Sequence, residues 1–316
     1  MRSVEVELKL SVKPETILAI RNQLFQLPNH YTSPQYLTNI YFETQNNQLR
    51  RWDMGLRIRG FGEQYEMTIK TAGRVIGGLH QRPEFNVPLQ QPELDLARFP
   101  AEIWPENTDL TQLQAQLTEL FTTNFCREKW IVNYGQSEIE VVLDQGEIRA
   151  GERTSPICEF ELELKTGNVS DVLLLADELA IQGGLRLANK SKAARGYALA
   201  SHKSPAKWVE GKTPEKLEWQ QPLSVLLAGI LEQWQAQEEE WLAGIAAGKT
   251  GLEQTLEWVK LLTEKQGETV PALGLLSELK EALSASDAEV SDAEVLCYSA
   301  KWLQCKLALT QWLMAQ

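Results

Sequence analysis

The first half of the chain alternates apolar and charged residues in short runs. In the first run, apolar Val4, Val6 and Leu8 are separated by Glu5 and Glu7. A period of two is typical of a β-strand with one apolar and one polar face. Six further runs repeat the pattern. The polar positions of the seven predicted strands are Glu5, Glu7, Lys9 and Ser11; Arg57 and Arg59; Glu66, Thr68 and Lys70; Arg82, Glu84 and Asn86; Arg127 and Lys129; Glu138, Glu140 and Asp144; and Glu159, Glu161, Glu163 and Lys165.

Strands with charged faces fit two architectures. In a sandwich the apolar faces meet and the charged faces contact water. In a closed barrel the charged faces can line a lumen, and this is favoured by faces that carry mainly Glu, Arg and Lys. Burying so many charges is costly unless they are paired or bind ions. A highly negative ligand bound with a divalent metal ion would satisfy both signs. The residues alone leave both architectures open.

After residue 205 the composition changes and the apolar spacing becomes helical. Arg195 is the last arginine, whereas seven of the ten tryptophans follow residue 205. The spacing predicts a helical bundle with helices over 222–247, 251–266, 271–285 and 288–316. Gly248, Gly251, Gly267 and Pro271 are expected to separate them. A polar, proline-containing stretch over 204–221 predicts a linker. We therefore predict two domains, residues 1–203 and 222–316.

Charge and composition narrow the classes of function. The net charge of −12 over 316 residues argues against non-specific nucleic-acid binding. No apolar run approaches the roughly 20 residues of a membrane span, and the charged N-terminus is unlike a signal peptide, so we expect no membrane partner and a cytoplasmic location. The four cysteines lack metal-site spacing, so any metal is expected to bind through oxygen. The chain stops within an apolar helical pattern, which predicts a truncated helical domain.

The charged runs resemble the signature of the CYTH family, the triphosphate tunnel metalloenzymes. The opening Glu5-x-Glu7-x-Lys9 is followed in order by six further charged elements over about residues 1 to 200. These elements are Arg57-x-Arg59, Glu66-x-Thr68-x-Lys70, Arg127-x-Lys129, Asp144, Glu159-x-Glu161-x-Glu163 and Lys190-Ser191-Lys192. The resemblance implies an α+β fold: an eight-stranded antiparallel β tunnel or barrel with flanking helices, followed by the all-α helical-bundle domain. It also implies that the tunnel binds a linear triphosphate with Mg²⁺ or Mn²⁺.

The resemblance further implies roles for individual residues. Glu7, Lys9 and Asp144 are expected to be catalytic. The expected metal ligands are Glu5, Glu7, Asp144, Glu159, Glu161 and Glu163. The expected substrate-binding residues are Lys9, Arg57, Arg59, Lys70, Arg127, Lys129, Lys190 and Lys192, with Arg195 as a further candidate. Apart from the resemblance, His80, Cys126 and Cys158 are expected to be structural residues.

Within the family, the chain is most similar to bacterial inorganic triphosphatases with a C-terminal CHAD domain, which implies hydrolysis of tripolyphosphate to pyrophosphate and phosphate. The alternatives are an organic triphosphate hydrolase acting on thiamine triphosphate or ATP, a class IV-type adenylate cyclase, and a non-catalytic polyphosphate-binding protein. The helical half departs from a basic CHAD domain: from residue 206 it has nine lysines against seventeen acidic residues, a balance of −8, and no histidine. We therefore expect only part of a CHAD domain. The sequence does not predict the oligomeric state.

Overall fold

The computed structural model of the protein describes residues 2–201, 220–266 and 272–315. Ten strands and ten α-helices lie in these ranges. The strands are β1 (Arg2–Val12), β2 (Asn29–Thr44), β3 (Gly55–Phe61), β4 (Gln64–Lys70), β5 (Arg74–Ile76), β6 (Leu79–Leu89), β7 (Leu117–Tyr134), β8 (Ser137–Ala150), β9 (Arg153–Thr166) and β10 (Leu185–Leu187). The helices are α1 (Ile17–Gln26), α2 (Gln48–Arg51), α3 (Leu110–Gln116), α4 (Val169–Ala180), α5 (Lys192–Ala200), α6 (Leu223–Leu242), α7 (Ala246–Gln266), α8 (Leu273–Ala285), α9 (Val290–Cys297) and α10 (Ala300–Met314).

Eight of the strands close into an antiparallel barrel. Their order is β1-β9-β8-β7-β2-β3-β4-β6, and β6 pairs again with β1. The two short strands lie outside this ring, with β5 on β6 and β10 on β1. The prediction of an eight-stranded antiparallel barrel followed by helices is confirmed, and the sandwich is excluded. All seven strands predicted from charged runs are present.

The eighth strand of the ring, β2, was not predicted. It spans 16 residues without a charged alternation, and its register with β7 shifts between Thr32 and Gln35 and again between Tyr41 and Phe42. A shift in register moves successive side chains off a strict period of two, so β2 carries no alternating pattern that would predict a strand.

The barrel is polar inside and apolar outside. On β1, Glu7 and Lys9 line the lumen, whereas Leu8 and Leu10 face outward and join a buried core with α1 and α4. A second outer core covers β3 and β4, where Leu56 packs with residues of the segment between β6 and β7. Outside register shifts such as those of β2, alternation along the strands places the two classes of side chain on opposite faces. The outer helices therefore bury the apolar face, and the charged face is left to the lumen.

The helical half differs from its prediction in two places. Gly248 and Gly251 lie inside α7 rather than between helices, while α6 ends near Gly244, whose φ is +79°. The segment predicted as one helix over 288–316 is two helices, α9 and α10. They are separated at Tyr298, whose carbonyl accepts a 2.7 Å hydrogen bond from the backbone N–H of Gly184. The separators Gly267 and Pro271 and most of the predicted linker lie outside the described residues.

Helix α10 packs on both halves of the chain. Its Leu303 and Leu307 belong to the core that covers β1 and α4, whereas Trp302, Cys305 and Leu309 belong to the core of the helical half. The two predicted domains are therefore in direct contact through α10. None of the helices in the described ranges has the length and apolar content needed to cross a membrane.

Candidate functional site

The barrel encloses a charged cavity of about 370 Å³. This volume lies in the range of small-ligand sites. The cavity brings together residues from β1, β3, β4, β7, β9 and α5 that are far apart in sequence. The predicted site residues that line it are Glu5, Glu7, Lys9, Arg57, Arg59, Lys70, Arg127, Glu161, Glu163 and Lys192.

One wall of the cavity is a row of carboxylates. Glu163 on β9 lies directly opposite Glu7 on β1 and Glu140 on β8, so its Cβ atom is about 5 Å from each of theirs. Burial raises the pKa of Glu163; Lys165, 2.9 Å away, lowers it in part, and the charges of Glu140 and Glu7 raise it further. Burial also raises the pKa of Glu5 to about 7, against the opposing effect of the Lys70 ammonium. The lysine beside each of these two carboxyls thus compensates only part of the cost of burying its charge.

This carboxylate row fits a divalent metal ion. Mg²⁺ and Mn²⁺ prefer carboxylate oxygens, and like-charged carboxylates with raised pKa values gain most from a bound cation. Glu7 differs from its neighbours. Although burial alone would raise its pKa, the Lys9 ammonium, 2.8 Å from its Oε1, lowers it. Glu7 is therefore ionised at neutral pH, and its carboxylate oxygens can serve as metal ligands.

A second carboxylate group surrounds an ammonium. Oxygen atoms of Asp144, Glu159 and Glu161 lie within 4.8 Å of one another. The Nζ atom of Lys192 is 2.6, 2.5 and 3.0 Å from them, respectively. Arg127 also donates two hydrogen bonds, of 2.7 and 2.6 Å, to Asp144. Burial disfavours charge on Asp144, but Arg127 and Lys192 more than compensate and lower its pKa. Protein cations thus already neutralise this group.

The opposite wall is positively charged. Arg57 and Arg59 project from β3 and Arg127 from β7, with β2 between these strands. Burial and the charges of Arg57 and Arg127 lower the pKa of Arg59 to about 10. Arg59 Nε donates a 2.9 Å hydrogen bond to the neutral Asn39, and Arg57 Nε is buried without a partner in the described part of the chain. This wall therefore favours an anionic ligand.

Three of the predicted basic residues lie away from the cavity lining: Lys129, Lys190 and Arg195, whose Nη1 donates a 2.8 Å hydrogen bond to Glu159. Lys129 Nζ is 3.6 Å from Glu140 on the neighbouring strand. Lys190 pairs with Glu239 of α6, a contact between the two halves of the chain that sequence periodicity did not predict. Asp144 and Glu159 do not line the cavity; they lie behind the lining, where both carboxylates contact Lys192.

Arg50 and several neutral residues complete the lining and lie outside the predicted charged runs. Tyr41, Thr123 and Tyr197 line the cavity, and α5 covers it with Ala193 and Ala194. The N-cap Ser191 accepts a 3.1 Å hydrogen bond from the backbone of Ala194, so α5 begins with Lys192 directed into the cavity. Only the Ser-Lys pair before an apolar helix could have signalled this cover.

His80 also lines the cavity, on β6. Its Nε2 is 3.4 Å from the carbonyl oxygen of Ala188. Burial, followed by the charge of Lys9, lowers the pKa of His80 to about 4. The ring is therefore neutral at pH 7, and it contacts the backbone as a structural histidine would.

Comparison with known proteins finds a similar sequence and two similar solved structures. An inorganic triphosphatase from Haemophilus influenzae is 36% identical over 210 residues, which are 65% of this chain and 57% of that protein. The chain thus spans little more than half the length of this relative. A candidate adenylyl cyclase from Hippeastrum, described as having a dominant triphosphatase activity, is 17% identical and covers 61% of this chain and 95% of its own, with a TM-score of 0.47. A candidate adenylate cyclase from Bacillus halodurans is 24% identical over 56% of this chain and 88% of its own, with a TM-score of 0.38.

A match to a family covers a similar part of the chain. The sequence profile of the CYTH domain matches residues 3–197, the range that contains the closed barrel and α5. The profile covers more than half of the 316 residues. The chain belongs to the CYTH domain family.

Proposed function

We propose that this protein is a metal-dependent inorganic triphosphatase that hydrolyses tripolyphosphate to pyrophosphate and phosphate, with Mg²⁺ or Mn²⁺ as cofactor. The observation that carries the proposal is the division of one closed cavity into an arginine wall and a carboxylate wall. A linear triphosphate with a divalent cation has the complementary charges. The Haemophilus influenzae relative, which is named an inorganic triphosphatase, supports the choice of substrate.

In this proposal the basic residues hold the phosphate chain. Arg57 and Arg59 each offer a planar fork that matches phosphate oxygens, and Arg127 adds its positive charge while Asp144 holds its Nε and Nη2. Lys9, Lys70 and Lys192 contribute ammonium groups from β1, β4 and α5. Several cations spread along a tunnel keep a flexible chain extended and place the bond to be broken at a defined position. Lys129 and Lys190 are left out because they do not line the cavity.

The carboxylate wall is proposed to hold the metal. Glu5, Glu7 and Glu163 are the proposed ligands, and Glu140 extends their row. When bound, Mg²⁺ or Mn²⁺ neutralises the negative charge on the phosphate oxygens. Glu7 remains ionised beside Lys9, so it can also accept a hydrogen bond from an attacking water. No covalent nucleophile is required.

Asp144 and Glu159 have a positioning role in this proposal. Their carboxylates hold Lys192, and Asp144 also fixes the guanidinium of Arg127 through two hydrogen bonds. Two proposed substrate-binding cations are thus pre-organised before substrate enters. Arg127 and Lys192 lower the pKa of Asp144, whereas the pKa values of Glu5 and Glu163 stay raised beside their lysines, so we assign the metal to the Glu5, Glu7 and Glu163 wall instead.

Phosphate release from tripolyphosphate, ATP and thiamine triphosphate tests the proposal. Each substrate is assayed with Mg²⁺, Mn²⁺ or a chelator. We expect fast release from tripolyphosphate that the chelator abolishes. Glu7→Gln should lower this rate at least about 100-fold, because it removes a metal ligand and proton acceptor, with an unchanged circular dichroism spectrum.

The matched control is Glu138→Gln, which removes an exposed carboxylate from β8 outside the lumen and should retain full activity. Preferential hydrolysis of ATP or thiamine triphosphate, or formation of cyclic AMP, would replace the substrate assignment. Binding of tripolyphosphate without turnover would identify a polyphosphate-binding protein. Assignment of the helical half to part of a CHAD domain and a cytoplasmic location stay predictions.

A further inference from the structure

Residues 186–192 connect the helical half of the chain to the cavity. They comprise the last two residues of β10, the loop that follows and the first residue of α5. Arg186 and Lys190 contact α6, whereas Ala188 and Lys192 contact residues of the tunnel. The same seven residues therefore carry contacts to both halves of the protein. We call residues 186–192 the connecting segment.

On the helical side, the first contact is a buried charge cluster around Glu238. This α6 residue is 0% exposed and accepts a 2.5 Å hydrogen bond from Trp302 Nε1. It also pairs with Lys306 of α10 and, at 3.5 Å, with Arg186 of the connecting segment. A buried charge whose partner is removed is strongly destabilising, so this cluster resists displacement. It anchors the end of β10 to the helical half.

The second contact is an ion pair between Glu239, the residue after Glu238 on α6, and Lys190 of the connecting segment. The two side chains are partly buried, at 19% and 29% exposure. Glu238 and Glu239 thus bind the connecting segment at two points, four residues apart. An extended chain of two residues spans only about 7 Å, so fixing Lys190 restricts where Lys192 can lie.

On the tunnel side, the contacts involve proposed substrate-binding residues. The backbone N–H of Ala188 donates a 2.9 Å hydrogen bond to the carbonyl of Lys9. Two residues after Lys190, the ammonium of Lys192 lies among Asp144, Glu159 and Glu161 at the cavity lining. A displacement of the connecting segment would therefore move an ammonium group inside the cavity.

We propose that Glu239 is a positioning residue for the tunnel: by holding Lys190, it places Lys192 for binding of the triphosphate. The helical half thereby completes the active cavity from outside the barrel. This inference rests on the proposed function for its kinetic consequence, but the underlying contact can be tested without turnover.

The test reverses the charge of Glu239. In Glu239→Lys, repulsion from Lys190 should displace the connecting segment and speed hydrogen exchange in residues 186–194. The KM for tripolyphosphate should rise about tenfold, since modest misplacement of a binding group has effects of this size. General destabilisation would instead lower kcat and the melting temperature with KM unchanged. The double variant Glu239→Lys/Lys190→Glu restores the attraction and should restore both the exchange pattern and KM.

Glu278→Lys is the matched control, because it makes the same charge change and breaks an ion pair with Lys301 within the helical half. It should alter neither KM nor exchange in residues 186–194. The inference is overturned if Glu239→Lys leaves exchange in that segment unchanged, or if the double variant fails to rescue. A wild-type protein that neither binds nor hydrolyses tripolyphosphate would contradict the proposed function, while the exchange experiment would still decide whether Glu239 positions the segment.

Discussion

Two glutamates that contact the same lysine differ in their protonation. Glu5 and Glu84 both pair with Lys70. Burial raises the pKa of Glu5 to about 7, since Lys70 offsets only part of the cost and nearby Glu7 adds to it. Burial disfavours charge on Glu84 as well, but Lys70 and Arg57 together lower its pKa to about 2. The neighbours of each carboxyl, rather than its residue type, therefore decide its charge at neutral pH.

This difference predicts opposite effects of two matched substitutions on the metal-free protein. Ionising Glu5 opposes folding. The stabilisation that protonated Glu5 contributes is therefore lost as pH rises from about 4.5 to about 7. Glu5→Gln removes that loss and should be more stable than wild type at pH 8, with the gain shrinking toward pH 5. Glu84 stabilises when ionised, so Glu84→Gln should be less stable throughout pH 5 to 8.

Urea denaturation in the presence of a chelator, repeated across this pH range, measures both differences. A Glu5→Gln gain that does not depend on pH would contradict the raised pKa of Glu5. A neutral effect of Glu84→Gln at pH 7 would contradict the lowered pKa of Glu84.

At the scale of elements, α6 and α7 meet through glycine. A Cβ atom at Gly248 would lie 2.4 Å from the backbone nitrogen of Trp241 and 2.7 Å from the backbone oxygen of Gln237. A Cβ at Gly251 would also collide with the Gln237 side chain. Glycine therefore serves here for close approach within a helix, and the sequence pattern had treated both positions as helix ends.

Glycine-to-alanine substitutions should change the free energy of unfolding in opposite directions on these two helices. Alanine in a helix interior is intrinsically better than glycine by about 1 kcal/mol. Gly248→Ala should nevertheless destabilise the protein by about 1 to 3 kcal/mol, because the collision is with backbone atoms. Gly229→Ala on α6, where no atom lies within 4 Å of the added Cβ, should stabilise by about 0.5 to 1 kcal/mol. Chemical denaturation measures both, and a stabilising Gly248→Ala would disprove the close approach.

At the scale of the whole molecule, the barrel and the helical half share a core. Leu307 of α10 is 0% exposed and packs with barrel residues such as Leu8 and Leu10. Thr310, one turn further along, donates a 2.9 Å hydrogen bond to the carbonyl of Gly77 in the β5–β6 turn. Such a shared core couples the stability of the two halves.

We therefore expect the described parts of both halves to unfold together. Leu307→Ala should lower the free energy of unfolding by about 2 to 5 kcal/mol, and hydrogen exchange should show the same decrease in β8 and in α6. Val295→Ala on α9, which removes a side chain that is 73% exposed, should change stability by less than about 0.5 kcal/mol. A loss of protection confined to the helical half would indicate two independent domains.

The sequence by itself determined most of the barrel and the inventory of its charged lining. Alternation along β1 and six other strands predicted both faces of each strand, because the period of two is a local property of extended backbone. The ordered charged motifs then indicated a CYTH tunnel. Irregular strand β2 and the neutral lining residue Tyr41 were missed, since neither produces a charged alternation.

Only the tertiary structure decided how the charges are partnered. Asp144, Glu159 and Glu163 look equivalent in the sequence, yet two of them hold Lys192 and the third belongs to a carboxylate row. Likewise, Lys190 and Lys192 are two residues apart, but one contacts α6 and the other lines the cavity. Closure of the barrel and docking of the helices bring together residues more than 100 positions apart. Burial there makes electrostatic effects depend on three-dimensional neighbours that local periodicity does not encode.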